Sequence, residues 1–255
     1  MIRRRDFGIT LVGGAAAAGA QEGRAPVAKK NLLMHVGGDY HSVAGGPGAD
    51  MTAKANLEYN LRHGVKHLTA QVRKAGPDGA WDADELKKMK DNCDKAGLTF
   101  EAIRMDDDYI RLPKGPERDR KLDVIIGNIQ KASQAGVKVI THHWTVIPIR
   151  RNSHVPGRGG VTYTAFKLED NWRDLPVGRA GRVSSDDYWE RITYFLQKVI
   201  PVCKQYDVKM GAHPYDPPGL PFGYQGAENW DSPSIFGASG YLVDSGAMSR
   251  PPQWK

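Results

Sequence analysis

One local pattern recurs four times along the chain and constrains the fold more than any other feature. In each copy a helical stretch ends, a residue suited to a left-handed backbone follows, and a short apolar run begins. Glycine adopts the left-handed conformation without a steric cost, so it commonly separates the end of a helix from a following strand. In the fourth copy aspartate, which tolerates that conformation less well, replaces glycine. The copies lie at residues 62–69, 95–102, 134–141 and 205–212.

Helical segments with an apolar face precede these copies and complete a regular alternation of elements. The order βαβαβαβαβ, with residues 31–36 as the opening strand, predicts a parallel sheet joined by right-handed crossovers. A closing barrel and an open doubly wound sheet both satisfy this order. No Gly-x-Gly-x-x-Gly string follows the first strand, which disfavours a dinucleotide-binding sheet. The predicted helices cover residues 52–63, 82–96, 118–135 and 186–206.

The first thirty residues differ in composition from the rest. A basic start that includes Arg4 and Arg5 precedes a short apolar stretch and small residues, which predicts an export signal of the twin-arginine type. The alternative is a flexible basic N-terminus on a cytoplasmic protein. This segment holds six of the 36 Lys/Arg and two of the 29 Asp/Glu, so the remaining chain carries a net charge of +3. We therefore expect neither a nucleic-acid nor a membrane partner.

The remaining chain, residues 31–255, is expected to form one domain with two stretches that lack periodicity. Residues 142–185 form a long loop after the fourth strand, and such loops inside compact domains are usually functional. Residues 214–255 contain many prolines and glycines and offer no further helix. We expect an irregular tail there.

Polar side chains gather where the predicted strands end. In a (β/α) barrel the catalytic groups lie at the C-terminal ends of the strands. Gln71, Glu101 and Arg104 lie near the ends of the second and third strands, and five of the eight histidines are placed similarly. Imidazole binds divalent metals and titrates near neutrality, so the pattern predicts a metal or acid–base site, with hydrogen-bonded structural histidines as the alternative. The five are His35, His41, His142, His143 and His213.

The most specific string is His-Pro-Tyr-Asp-Pro-Pro at residues 213–218. It resembles the His-Pro-Asp-Asp-Pro-Pro signature of the mannonate dehydratases, which are xylose-isomerase-like (β/α)8 TIM barrels. Further stretches resemble that family in the same order, and together they cover most of residues 31–236. They lie at residues 81–103, 115–119, 189–202 and 223–236.

The resemblance implies an activity and a set of site residues. The implied reaction removes water from D-mannonate to give 2-keto-3-deoxy-D-gluconate, a step of glucuronate breakdown. His213 would bind a divalent metal, Mn²⁺ with Fe²⁺ as the alternative, and Asp216 would orient the metal ligand or the sugar hydroxyls. Arg158 would bind the substrate carboxylate together with His142 or His143, which are the candidates for acid–base catalysis.

Two departures from the family pattern leave alternatives open. Tyr215 replaces the first aspartate of the signature, and nothing beyond Phe236 matches the family's later metal ligands, a Cys, a His and an Asp. We therefore expect a partial barrel of about five parallel strands that binds its metal weakly. A shortened gene product is the preferred explanation, and completion by a second chain in a homo-oligomer is the alternative. A metal-dependent sugar isomerase or epimerase and an inactive truncated barrel are the other functional readings.

Overall fold

The fold was obtained as a computed structural model that describes residues 35–39, 50–72, 75–76, 78–105, 108–147, 151–213 and 220–228. The chain divides into two compact units, Met1–His35 and Val36–Lys255. The predicted export signal lies outside the described residues. Across the described residues, every helix is too short or too polar to cross a membrane.

Among the described residues, five parallel strands form the main sheet. In their order across the sheet they are β1 (Gly37–Gly38), β2 (His67–Gln71), β3 (Thr99–Arg104), β4 (Val139–His143) and β7 (Lys209–His213). Each strand pairs with the strand that precedes it in this sheet, so right-handed crossovers place the connecting helices on one face. This arrangement confirms the predicted parallel sheet of five strands and is that of a barrel wall rather than a doubly wound sheet. Among the described residues the sheet is open, with β1 and β7 at its two edges.

In the described part of the chain, four α-helices alternate with these strands: α1 (Lys54–Arg62), α2 (Ala83–Ala96), α3 (Pro116–Gln134) and α4 (Ser185–Gln205). The side chain of Asp82 accepts hydrogen bonds from the backbone N–H groups of Asp84 and Glu85, which fixes the start of α2. Ser184 and Asp187 form a reciprocal capping box at the start of α4. Short 3₁₀ turns cover Asp108–Arg111, Arg158–Gly160, Trp172–Asp174 and Tyr224–Gly226.

The recurring helix-to-strand pattern has one geometry in all four copies. The residue between helix and strand has a positive φ each time, from 75° to 78° at the three glycines and 51° at Asp207. The next backbone N–H then reaches back to a carbonyl in the last helical turn, which is the Schellman bond. These bonds run from Val65 to Asn60, Leu98 to Cys93, Val137 to Ala132 and Val208 to Cys203, at 2.9–3.0 Å. The local pattern therefore predicted both the helix ends and the strand starts.

The hydrophobic core lies between the sheet and its helices. Strand residues that alternate with polar ones supply the sheet side of this core, including Leu68, Ala70, Phe100, Ile140 and Met210. Ile125 and Ile129 of α3 and Phe195 and Val199 of α4 supply the helix side. Since successive strand residues point to opposite faces, the polar positions between these residues lie on the face away from the helices. We call this the inner face of the sheet.

The structure adds detail to the sequence prediction at two places. Most of the expected opening strand, residues 31–34 of 31–36, lies outside the described residues, and the described pairing is formed by Gly37 and Gly38, against His67 and Leu68. The long loop at residues 142–185 contains an antiparallel hairpin, β5 (Ser153–Pro156) and β6 (Thr162–Ala165). Each hairpin strand has only four residues and little apolar alternation, so the sequence carried a weak signal for it.

Candidate active site

A row of residues crosses the inner face near the C-terminal ends of four strands. Strand pairing aligns Gln71 with Arg104, Arg104 with Thr141, and Thr141 with Gly211. Neighbouring strands lie about 4.8 Å apart, so the row extends roughly 14 Å across the sheet. Gln71, Arg104 and Thr141 are half-buried, which is consistent with a polar surface away from the helices.

His143 and His213 lie one step beyond this row, on the same face. They are aligned partners in the pairing of β4 with β7, and each is the last residue of its strand. Their rings stack with centroids 4.3 Å apart and planes inclined by 7°. His143 is buried, whereas His213 is exposed. The structure thus brings together two of the three histidines that the sequence predicted at the ends of the last two strands.

His142 lies on the opposite face, inside the core. Its ring stacks on Phe195 of α4 at a centroid distance of 5.5 Å and meets the edge of Trp144 at 4.6 Å. Burial, with a smaller contribution from the neighbouring His143, lowers the pKa of His142 to about 3, although a hydrogen bond with the Gly211 backbone acts in the opposite direction. His142 is therefore neutral near pH 7 and is not among the groups that face the open side of the sheet.

Helix α4 holds the end of β4 in position from the core side. The phenol of Tyr188 donates a hydrogen bond of 2.9 Å to the backbone carbonyl of Trp144, the residue after His143. Phe195 packs edge-on against the Trp144 ring, with centroids 4.9 Å apart. Tyr188, Phe195 and Trp144 are all buried. This packing fixes the backbone that carries His143, so the imidazole on the inner face has a rigid support.

The predicted substrate-binding residues lie elsewhere. Arg158 begins the turn of the β5–β6 hairpin and is exposed. Asp216 and His41 fall outside the described residues. Glu101 of β3 lies nearer the start of its strand, where its Oε2 approaches the Nδ1 of His67 at 3.3 Å. His67 is the first residue of β2, so this pair is separated from the strand ends where His143 and His213 lie.

A cavity of about 340 Å³ opens beside Gln71, between the β1–α1 loop and the first turn of α2. Asp50 and Asp84 contribute carboxylates to its wall, and Lys88 contributes an ammonium group. Its residues come from segments that are distant along the chain, so the sequence carried no signal for this cavity. The full lining consists of Asp50, Thr52, Gln71, Asp84, Glu85, Lys88 and Met89.

The donor set on the inner face fits part of a divalent metal site. Imidazole nitrogen is a good ligand for Mn²⁺, Fe²⁺ and Zn²⁺, and His213 offers one at an exposed strand end. The lone pairs of an imidazole lie in the ring plane, so two stacked parallel rings do not converge on one ion. As placed, His143 and His213 therefore supply one ligand to a given ion, and several converging donors are needed for tight binding.

Comparisons with known proteins find mannonate dehydratases among both sequence relatives and solved structures. The family model for D-mannonate dehydratase (UxuA) matches residues 172–227, a segment that includes α4, β7 and His213. The mannonate dehydratase of Thermotoga petrophila is 28% identical over 176 residues, which cover 56% of this chain and 49% of the relative. Mannonate dehydratase 2 of Halalkalibacterium halodurans is 23% identical over 207 residues, which cover 67% of this chain and 57% of the relative.

A solved structure shows the same fold. The crystal structure of mannonate dehydratase from Streptococcus suis serotype 2 superposes with a TM-score of 0.63 at 21% identity, covering 83% of this chain and 60% of that chain. The chain matches about half the length of the Thermotoga petrophila relative. The resemblance predicted from the sequence is confirmed: this chain is similar to the mannonate dehydratases, in sequence over part of its length and in its barrel-like fold.

Proposed function

We propose that this chain is a metal-dependent, mannonate dehydratase-like hydro-lyase in which His213 is a metal ligand. One observation supports this proposal above the others: His213, the first residue of the signature-like string, ends β7 on the inner face beside His143. That position is where (β/α) barrels place their catalytic groups. The family model that matches residues 172–227 includes the same histidine.

In this proposal His213 binds the divalent ion, Mn²⁺ or alternatively Fe²⁺. Asp216, three residues later, orients that ligand or the sugar hydroxyls, as the resemblance implies. When bound, such an ion stabilises negative charge that develops on the substrate carboxylate and hydroxyl oxygens. His213 suits this role because its ring is exposed at the strand end, whereas the ring of His143 is buried against the sheet.

His143 is the better acid–base candidate of the two adjacent histidines. Dehydration of an aldonate removes the proton from the carbon beside the carboxylate and expels the hydroxyl group from the next carbon as water. A positioned imidazole can take the first proton or protonate the departing hydroxyl group. His143 faces the side of the sheet that carries His213, and Tyr188 fixes the backbone that follows it. His142, which the sequence offered equally, acts in this proposal as a core residue behind the site.

Arg158 has a conditional role in the proposal. A guanidinium matches a carboxylate in a two-point contact, and Arg158 lies in a hairpin that follows β4. Its exposed place at the turn requires the hairpin to reach over the inner face before Arg158 can contact a substrate bound there. Arg158 is therefore proposed as a residue that closes over the sugar acid rather than one built into the sheet.

The experiment is a product assay with a substrate panel. Purified chain is incubated with Mn²⁺ and D-mannonate, and 2-keto-3-deoxy-D-gluconate is quantified; other aldonates and several aldoses are run in parallel. The proposal expects the keto-deoxy acid from mannonate and no interconversion of aldoses. Isomerised or epimerised aldoses would instead assign the chain to the isomerase alternative, and no turnover of any substrate would support an inactive partial barrel.

We also propose that residues 1–30 direct export by the twin-arginine route. Support comes from the paired arginines before a short apolar stretch. A fusion of these residues to a reporter that is active only after export should give activity, and substitution of Arg4 and Arg5 by lysine should abolish it. Equal activity of both fusions would contradict this route.

A further inference from the structure

The imidazole of His142 has one nitrogen whose hydrogen-bonding capacity is not satisfied in the hydrophobic core. The residue is 1% exposed. Its hydrogen bond with the Gly211 backbone favours the protonated form, which is the effect of a bond that the ring donates. The second nitrogen of the neutral ring is therefore an acceptor, and no donor reaches it from the part of the chain that the structure describes. Since a buried acceptor without a partner is costly, such groups commonly bind ordered water.

A small cavity adjoins His142 on the core side of β4. It offers about 10 Å³ to the centre of a water molecule, and one buried water needs roughly 10–15 Å³. Ile110, Ile125 and Phe195 contribute apolar parts of its wall. Tyr109 is a further polar residue of the lining. The cavity therefore has the size of a site for one water molecule and is too small for a larger ligand.

Tyr109 offers such a water a second partner. Its phenol donates a hydrogen bond of 2.9 Å to the backbone carbonyl of Arg191, so the phenol oxygen can still accept one. Burial raises the pKa of Tyr109, so the phenol keeps its proton near pH 7. A water molecule has two protons to donate, and His142 and Tyr109 each present an acceptor. Two polar partners lie within the range of roughly two to four that buried waters usually have.

An empty cavity is the competing explanation. The rings of His142 and Trp144 meet at 89° with centroids 4.6 Å apart, so an imidazole N–H can point at the face of the indole. Such a contact uses the donor of the imidazole, however, and leaves its acceptor nitrogen unsatisfied. An enclosed water that donates a hydrogen bond satisfies that nitrogen, and we therefore favour an occupied cavity.

We infer that one water molecule is bound in this cavity, where it donates hydrogen bonds to the unprotonated nitrogen of His142 and to the phenol oxygen of Tyr109. The inference goes beyond the proposed function, because the site lies on the core side of β4 and needs neither substrate nor metal. Tyr109 belongs to the 3₁₀ turn Asp108–Arg111, so the water connects that turn to β4. It adds to the support that Tyr188 gives the strand end that carries His143.

Two measurements on the full chain test the inference. A high-resolution crystal structure of the wild type locates the water directly. In solution, ¹⁷O relaxation dispersion of water reports long-lived internal water molecules and does not respond to exchange of hydroxyl protons. The variants are His142→Leu and, as a matched control, His154→Leu, which changes an exposed histidine of the β5–β6 hairpin. Circular dichroism melts show whether each variant folds.

We expect the crystal structure to show one water within hydrogen-bond distance of both His142 and Tyr109. His142→Leu replaces the acceptor by an apolar wall, and small apolar cavities stay dry. The ¹⁷O dispersion of His142→Leu should therefore be smaller than that of the wild type by the contribution of one water molecule. His154→Leu should match the wild type.

Two results would overturn the inference. One is an empty cavity in the crystal structure, with an imidazole N–H of His142 directed at the Trp144 ring. The other is equal ¹⁷O dispersion of the wild type and a folded His142→Leu. If His142→Leu does not fold, the wild-type crystal structure decides alone, because a water in the cavity supports the inference and an empty cavity removes it.

Discussion

His143 and His213 end neighbouring parallel strands as aligned partners, and their rings stack with centroids 4.3 Å apart. The two stacked imidazoles differ in exposure to solvent: His143 is buried, whereas His213 is exposed. An exposed imidazole can bind an ion, and a buried one on a fixed backbone can hold or move a proton at a defined position. The exposed His213 is therefore suited to binding an ion, and the buried His143 is suited to proton transfer.

The first prediction concerns this division of roles. His143→Gln should lower turnover of mannonate by about a hundredfold or more, which is the usual loss when a general acid or base is removed. It should change Mn²⁺ affinity only slightly, since His213, the proposed metal ligand, is unchanged. Steady-state kinetics and metal titration on the same preparation check both statements. A parallel loss of metal affinity would show that His143 is itself a ligand.

The second prediction concerns the pH dependence of stability. Burial lowers the pKa of folded His142 to about 3, below the ordinary value of 6.5 in the unfolded chain. Between these values the unfolded state binds a proton that the folded state does not, so stability falls as the pH is lowered through this window. The contribution of His142 should be about 1.4 kcal/mol per pH unit at most.

Urea unfolding of wild type and His142→Leu, measured at intervals from pH 7 to pH 4, isolates that contribution. The variant should lose less stability than wild type across this range. Identical slopes for the two proteins would mean that His142 is solvated or protonated in the folded state, contrary to its place against Phe195 and Trp144.

The third prediction tests the support behind β4. Tyr188→Phe removes the phenol that donates to the Trp144 carbonyl and leaves a buried acceptor without that bond. We expect a loss of about 1–3 kcal/mol in the free energy of unfolding. Tyr163→Phe, which changes an exposed tyrosine of the hairpin, should lie within about 0.5 kcal/mol of wild type. Denaturant titration of both variants provides the measurement, and equal stability of the two would show that the Tyr188 bond contributes little.

The fourth prediction uses two glycines with opposite backbone requirements. Gly97 ends α2 with φ at 78°, and an added Cβ would meet nothing within 4 Å, so Gly97→Ala introduces backbone strain alone. It should destabilise the chain by about 1–2 kcal/mol. Gly127 lies inside α3, where an added Cβ also meets nothing, so Gly127→Ala should stabilise by roughly 0.5–1 kcal/mol. Thermal melts that shift in the same direction for both variants would contradict the backbone conformations assigned to these two glycines.

Local patterns predicted most of the fold because the controlling interactions are themselves local. The residues that end each helix lie beside those that start the next strand. The positions of Gly64, Gly97 and Gly136 therefore predicted three of the four helix-to-strand boundaries. Asp207 marks the fourth helix-to-strand boundary although it is not glycine, since it also has a positive φ. The β5–β6 hairpin escaped prediction because its strands are short and their pairing depends on contacts across a turn.

Only part of the candidate site could be predicted from the sequence. Adjacent residues of a strand point to opposite faces, so His142 and His143 could not both face the same side. Which of the two lies beside His213 depends on the register between β4 and β7, and that register is a long-range contact. The alignment of Gln71, Arg104 and Thr141 depends in the same way on the pairing of three strands.

The Mn²⁺ dependence of mannonate dehydration in wild type, His213→Ala and His154→Ala tests whether His213 binds the metal. His154 is an exposed histidine of the β5–β6 hairpin and serves as the matched control. We predict that wild type and His154→Ala form keto-deoxy acid with the same Mn²⁺ dependence, and that His213→Ala requires far more metal or forms none. Undiminished activity of His213→Ala at the same Mn²⁺ concentration would contradict the assignment of the metal site to the end of β7.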